Sequence, residues 1–380
     1  MEAKKKIIIL GTAHPLRGGL AAYNERLAMQ LQQEGYEVII YTFTLQYPNF
    51  LFPGSSQYAT DPAPANLQIK VRVNSINPFN WLKVGWEIKR ENADILIVKF
   101  WLPFMGPCFG TIARLAKSNK LTRIVSILDN VIPHEHRPGD KAFTKYFIGA
   151  VDGFIAMSES VQADLKTFTQ KKTCLFIPHP IYDNFGEQVE KSIARKALDI
   201  NATERVILFF GFIRRYKGLD LLLEAMADER VAKLNIKLLI AGEFYEDRSY
   251  YDNLIDKYQL KNALLLHTDF IPNESVKNYF GAADLVVQPY RTATQSGISQ
   301  MAYHFEKPML VTNVGGLPEI VPHGKAGFVV SPESNAIAQA IVDFYVNSLE
   351  ENLINGVKAE KKKYLWEHIT NGIRKLAHVN

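Results

Sequence analysis

Only two cysteines, Cys108 and Cys174, occur in 380 residues, and they stand far apart in no metal-ligand spacing. That excludes a disulfide framework and points to a reducing compartment. No apolar run approaches the ~20 residues needed to cross a bilayer. The start, MEAKKKIIILG, imitates a secretory leader, but its apolar run is only Ile7–Leu10, where such a leader carries ~7–15 apolar residues. That run is expected to be the first strand. Charge of one sign is lacking too: 44 Lys and Arg face 39 Asp and Glu, a net +5. Such a balance permits contact with anionic ligands or a membrane surface and gives no argument for nucleic-acid binding. With 47% hydrophobic and 22% charged residues, the expectation is a cytoplasmic globular protein, able to rest at the inner face of a membrane. Its length suits two domains better than one core.

What the chain has in quantity is short apolar runs alternating with helical patterns. The first series comprises Lys6–Leu10, Val38–Phe43, Ile69–Val73, Asp94–Val98, Ile124–Leu128 and Gly153–Met157. The second comprises Val206–Phe210, Ile236–Ala241, Ala263–Leu266, Leu285–Gln288, Met309–Thr312 and Gly327–Val330. Strands apolar on both faces and separated by helices predict parallel sheets covered on both sides. The series divides near residues 175–195, around the proline-bearing Phe176-Ile-Pro-His-Pro-Ile-Tyr-Asp183. The fold class expected is therefore α/β, with a doubly wound domain over 1–180 and another over 190–360. A last helix over 361–380 is expected to pack back toward the first.

In open α/β sheets, ligands sit beyond the carboxyl ends of the strands. The segment Gly211-Phe-Ile-Arg-Arg-Tyr-Lys-Gly-Leu-Asp220 falls in such a place. It follows a buried strand and precedes a helix whose Leu219, Leu222, Leu223 and Met226 share a face. Arg214, Arg215 and Lys217 are thus delivered to a helix N-terminus, where N–H groups and the helix dipole already favour an anion. Two or three cations suit a diphosphate better than one carboxylate. Gly242, just after Ile236–Ala241, is a second glycine at a strand end.

Other strand ends offer weaker signals. Gly18 and Gly19 open a helix after the first strand and expose bare backbone N–H groups. Asp129 and His134 follow the strand ending at Leu128, and each could hold a reacting hydroxyl or accept its proton. His134 and His136, two residues apart with no further ligands nearby, do not make a metal site. In the second half, Gln295, Ser296 and Gly297 precede or open a helix with Ile298, Met301, Ala302 and Phe305 as its apolar stripe. Gly297, Gln300 and His304 share another face, expected to look toward the ligand. Gly-Gly recurs in Asn313-Val-Gly-Gly-Leu-Pro-Glu319, which adds Glu319. Taken singly, each of these is as readily a cap or a turn. Two stretches, Tyr47–Pro53 and Asn80–Arg90, combine aromatics with basic residues; they would line the core or a cleft, or sit at a membrane interface.

Together these residues resemble a retaining glycosyltransferase of family 4, group 1, with the GT-B fold of two Rossmann-like domains facing a cleft. The resemblance spans nearly the whole chain. It runs through GGLAAYNERLA from Gly18, MSESV at 157–161, IPHPIYDNF at 177–185, GFIRRYKGLDLLLEAM at 211–226, and the stretch 281–320 with AADLVVQPY and KPMLVTNVGGLPEI. It implies transfer of a hexose from a nucleotide-diphosphate sugar (uridine or guanosine) to a glycan or lipid-linked acceptor, with retention and without a metal or other cofactor. The donor would sit mainly in the second domain and the acceptor in the first. It maps the family's phosphate-binding lysine onto Lys217. Its arginine usually follows the first glycine, where Phe212 stands, so Arg214 is the substitute. His134 would position acceptor or sugar. The family often carries two glutamates separated by seven residues; here Met301 holds the second place, beside Gln300, and no acid holds the first. That departure leaves the donor sugar open and keeps an alternative alive: a non-catalytic GT-B partner that binds a nucleotide sugar. A dinucleotide dehydrogenase is disfavoured, since no G-x-G-x-x-G follows the first strand.

Overall fold

A computed structural model describes residues 4–48, 57–59, 62–133, 137–293 and 296–378. The chain divides into two units, Met1–His179 with Leu365–Asn380, and Pro180–Tyr364.

In the first unit the apolar runs become strands β1 (Lys6–Leu10), β2 (Glu37–Leu45), β3 (Gln68–Asn74), β4 (Ile95–Phe100), β5 (Arg123–Leu128), β6 (Gly153–Ala156) and β7 (Cys174–Phe176). All pair in parallel, in the order β3-β2-β1-β4-β5-β6-β7. Helices α1 (Gly19–Gln33), α2 (Pro78–Arg90), α3 (Gly106–Lys117), α4 (Asp140–Ala150) and α5 (Glu159–Lys166) join them. Residues of β4 are buried on both faces, as parallel strands covered by helices must be. The chain leaves β1 toward β2 and later returns to place β4 on its other flank. The sheet's switch point therefore lies between β1 and β4, where the loops that follow them part.

The second unit repeats the plan with six parallel strands. They are β8 (Arg205–Phe210), β9 (Ile236–Ala241), β10 (Leu264–His267), β11 (Leu285–Gln288), β12 (Met309–Thr312) and β13 (Gly327–Val330), in the order β10-β9-β8-β11-β12-β13. Its helices are α6 (Lys191–Ala197), α7 (Leu219–Met226), α8 (Glu229–Ala232), α9 (Ser249–Lys257), α10 (Val276–Ala282), α11 (Gly297–His304), α12 (Leu317–Ile320), α13 (Ser334–Val346) and α14 (Glu350–Lys361). The switch point falls between β8 and β11. Finally, α15 (Trp366–Ala377) belongs to the first unit.

Two expectations need correction. The first sheet has seven strands, not six: Cys174–Phe176 pairs with Phe154–Ala156, although its residues were read as the start of a linker. It is short and half-buried, and the prolines after it hide it. The fourth strand also runs on to Phe100, carrying Lys99 inside a run read as ending at Val98.

Candidate functional site

Loop 211–218 leaves β8 at the second unit's switch point. Its path is fixed by backbone pairing: Ile213 N–H donates to Glu243 O at 2.8 Å, and Tyr245 N–H donates to Ile213 O at 3.1 Å. Ile213 itself is fully buried. A single 3-10 turn, Arg215–Lys217, then hands the chain to α7 through Gly218. Gly218 has φ +67°, and a Cβ there would lie 1.9 Å from Pro289 O. Glycine is needed because the loop after β11 touches bare backbone. Gly211 (φ +98°) and Gly242 (φ +137°) stand back to back, a Cβ on Gly242 falling 2.4 Å from Gly211 O.

This folding turns Lys217 inward. Only 9% of it is exposed, and its Nζ lies 3.1 Å from where a Cβ on Gly211 would sit and 5.6 Å from the centre of the Tyr290 ring. Burial, and then the charge of Arg214, lower its pKa to about 8. Among the described residues no carboxylate or carbonyl accepts from that ammonium. A second buried lysine of this unit, Lys307, is also lowered to about 8, but its Nζ donates to Gly281 O at 3.1 Å and Ala283 O at 2.9 Å. Lys307 is an anchored structural lysine, whereas Lys217 has no such acceptor among the described residues. Unpaired buried charge is costly, so the arrangement favours an anion at this point.

Arg214 is exposed, with its guanidinium 5.1 Å from the Tyr245 ring. Arg215 stacks on Tyr250 at 3.8 Å and is directed away from Lys217's role. Asp220 accepts from Tyr250 at 3.1 Å and from Arg291 at 2.7 Å. Asp220, in the first turn of α7, is thus engaged through Oδ2 with Tyr250 and Arg291 and not with Lys217.

The segment after β11 closes the other side. Ser296 is buried and its hydroxyl donates to Gln288 Oε1 at 2.6 Å, where Ser299 also donates at 3.1 Å. Gln288 Nε2 and Gln300 Oε1 are buried and have no partner among the described residues. The face of α11 expected to look toward a ligand does not open that way. A Cβ on Gly297 would meet the Tyr182 ring at 2.9 Å, and His304 Nε2 lies 2.8 Å from Gly186 O. Chain from the same unit covers that face. Glu319 is exposed in the short α12. Gln295 lies outside the described residues.

In the first unit, Gly18 (φ +107°) precedes α1, and a Cβ there would meet nothing within 4 Å. Gly19 begins the helix, which has no side-chain cap and no acid in its first turn. Asp129 follows β5 and is bound to Lys99 Nζ at 2.8 Å. Lys99 is 2% exposed, sits 3.5 Å from the centre of the Tyr23 ring, and has its pKa pulled down by burial against the opposing pull of Asp129. Sequence reading missed this lysine; the available signal was one charge inside an otherwise apolar strand. His134 lies outside the described residues. Among the described residues no three His, Cys, Asp or Glu side chains gather as a metal site.

A cavity of ≈ 500 Å³ opens elsewhere on the second unit, lined in part by Lys191, Arg195, Asp284 and Tyr345. Its cations are matched, Lys191 to Asp284 at 2.6 Å and Arg195 to Asp284 at 2.9 Å. Arg205, also in the lining, donates to Leu234 O at 3.1 Å and lies 5.3 Å from the centre of the Tyr345 ring. Lys217, buried at a switch-point loop, is the better candidate.

Two doubly wound parallel units in one chain define the GT-B fold class. Residues 190–360 match the family Glycosyl transferases group 1, and residues 17–184 match Glycosyltransferase Family 4. The second unit is accordingly similar to group 1 glycosyltransferase domains, and the first to those of family 4. An uncharacterized glycosyltransferase of Methanocaldococcus jannaschii is 24% identical over 98% of this chain and 97% of its own. A lipopolysaccharide 1,2-N-acetylglucosaminetransferase of Salmonella typhimurium is 29% identical over 46% of this chain and 48% of its own. The chain spans about half the length or less of several such curated relatives. Among solved structures, Anabaena HepE in complex with UDP superposes with a TM-score of 0.71 at 16% identity, over 98% of both chains. No helix of the described residues is long and apolar enough to cross a membrane.

Proposed function

We propose that this protein transfers a hexose, with retention, from a UDP- or GDP-sugar to a glycan or lipid-linked acceptor in polysaccharide or glycoconjugate assembly. The single observation that carries this reading is the buried ammonium of Lys217 in the loop after β8, for which no carboxylate or carbonyl among the described residues is an acceptor. Cleaving a glycosyl–phosphate bond leaves positive charge on the sugar and added negative charge on the departing diphosphate. A preorganised cation in a water-poor site lowers that barrier because it need not reorganise as charge develops. Arg214 adds a second positive charge nearby. With the diphosphate neutralised by side chains and the N-terminus of α7, transfer needs no metal. We assign retention to front-face attack, in which the leaving phosphate oxygen takes the acceptor's proton. Gln300, buried in α11, stands beside Met301, which holds the place where the family often carries its second glutamate. Asp129 and His134 belong to the acceptor side. The UDP complex of a protein with this fold and the glycan-building name of a relative support the donor and acceptor classes.

Lys217→Ala is expected to lower turnover of UDP- or GDP-sugars by about 30- to 1000-fold, the effect of losing ~2–4 kcal/mol of leaving-group stabilisation. The melting curve should still show a folded protein. Turnover within a few-fold of wild type would remove Lys217 from the reaction. The missing carboxylate at Met301 also fits a non-catalytic nucleotide-sugar-binding partner. That reading predicts binding without donor hydrolysis or transfer, so product analysis separates the two.

A further inference from the structure

The outward face of α2 is apolar and basic at once. At ~100° per residue, Phe79, Leu82, Lys83, Trp86, Lys89 and Arg90 fall within an arc of about 120°. Val84, Gly85 and Ile88 occupy the opposite side and are buried. The three apolar side chains of the outer stripe are not core: Phe79 is 83% exposed, Leu82 45% and Trp86 48%. Trp81, by contrast, is half-buried and donates its indole N–H to Asn74 O at 2.8 Å. The expectation that the aromatics of Asn80–Arg90 line the core thus holds for Trp81 and fails for Trp86.

No acid opposes the stripe. Glu87 accepts from Tyr41 at 3.2 Å, and Glu91 is held by Lys70 at 2.6 Å and Lys6 at 3.2 Å. Lys89 Nζ lies 4.5 Å from the centre of the Trp86 ring. Residues 78–150 contain 11 Lys and Arg against 6 Asp and Glu, which equals the entire net charge of +5. Everything outside that segment is balanced.

We propose that α2 lies on an anionic bilayer, with Phe79, Leu82 and Trp86 entering the headgroup–acyl boundary and Lys83, Lys89 and Arg90 meeting lipid phosphates. Exposed large apolar side chains interleaved with lysines are what an in-plane interfacial helix needs. Tryptophan favours that depth, and long basic stems reach outward from it. A folded nucleic acid would use the cations but would leave Leu82 and Phe79 in water. The charge complement selects anionic over zwitterionic lipid.

Co-sedimentation with vesicles of phosphatidylcholine alone, and of phosphatidylcholine with about half phosphatidylglycerol, tests this on the full chain. Binding is expected to the second vesicle only and to weaken with salt. Phe79→Ser with Trp86→Ser, and separately Lys83→Glu with Arg90→Glu, should each reduce the partition by at least about tenfold. All four positions are exposed, so melting temperature and nucleotide-sugar turnover should stay near wild type. No binding to the anionic vesicles would overturn the proposal. So would binding that both double variants retain, or binding lost only with the charges and shared equally by a single-stranded RNA.

Discussion

Lys217 and Lys307 differ in one respect that decides their chemistry: Lys307 donates to two carbonyls, whereas no described group accepts from Lys217. The folded pKa of Lys217, about 8, lies below its ordinary 10.5. Between those values the unfolded chain holds the proton more tightly, so folding releases it and stability rises with pH. Below about 8 both states are protonated and the full cost of the buried charge is present. Lys217→Met should therefore raise the melting temperature of the ligand-free protein at neutral pH, by ~1–3 kcal/mol of stability, and the gain should shrink toward pH 10. Diphosphate binding carries the opposite sign. It needs the ammonium, so affinity should be flat below pH 8 and fall by up to about tenfold per unit above it. Lys217→Arg, charged throughout, should abolish that fall. Titration calorimetry with UDP and GDP across pH 7–9 reads both. A wild-type affinity unchanged to pH 9 would place the diphosphate elsewhere.

The loop between β8 and α7 is held by its glycines as much as by its cations. Gly218 and Gly324 share the left-handed conformation, φ +67° and +73°, but a Cβ on Gly324 would meet nothing while one on Gly218 would strike Pro289 O. Gly324→Ala should cost the ~1–2 kcal/mol of left-handed strain alone. Gly218→Ala should cost at least ~1–2 kcal/mol more, because the chain after β11 must move, and Tyr290 moves with it. Denaturant melts of the two variants, with UDP affinity alongside, give the comparison; equal losses would mean that the Pro289 contact is soft. These elements also show what the sequence made legible. The β8 and β9 runs announce themselves because both faces of a parallel strand are buried, and the cationic loop announces itself because three cations follow β8. Strand β7 stayed hidden, since two half-buried residues and an exposed one shortly before a proline give no period to read. The Lys99–Asp129 pair stayed hidden for another reason. It joins a residue of β4 to the first residue after β5, and only the register of the two strands brings them together. The covered face of α11 was misjudged because helical phase says which side chains align, not what packs against them.

At the scale of the whole molecule, the chain returns to the unit it began in. Trp366 packs against Tyr23 with ring centres 5.1 Å apart, and Arg26 sits 5.1 Å from the same indole. Glu34, at the end of α1, accepts from Thr370 at 2.7 Å and from Arg374 at 3.0 Å. Ile369, Ile373 and Leu376 are buried, and a Cβ on Gly372 would strike Ile177 at 2.3 Å, a sign of close helix–strand approach. The last helix therefore completes the first unit's core, although the whole second unit intervenes in sequence. Removing residues 365–380 should expose the apolar floor of β5–β7 and the face of α1. Three large apolar side chains lost from a core amount to several times ~1.5–3 kcal/mol, enough to unfold a unit of ordinary stability. Hydrogen exchange localises the damage. Peptides from α1, β5, β6 and β7 should lose protection by orders of magnitude, while peptides of 180–364 keep theirs and still gain protection when UDP or GDP is added. Uniform loss across the chain would mean that the two units stand or fall together. Unchanged protection in β5–β7 would mean that α15 adds little to the core it covers.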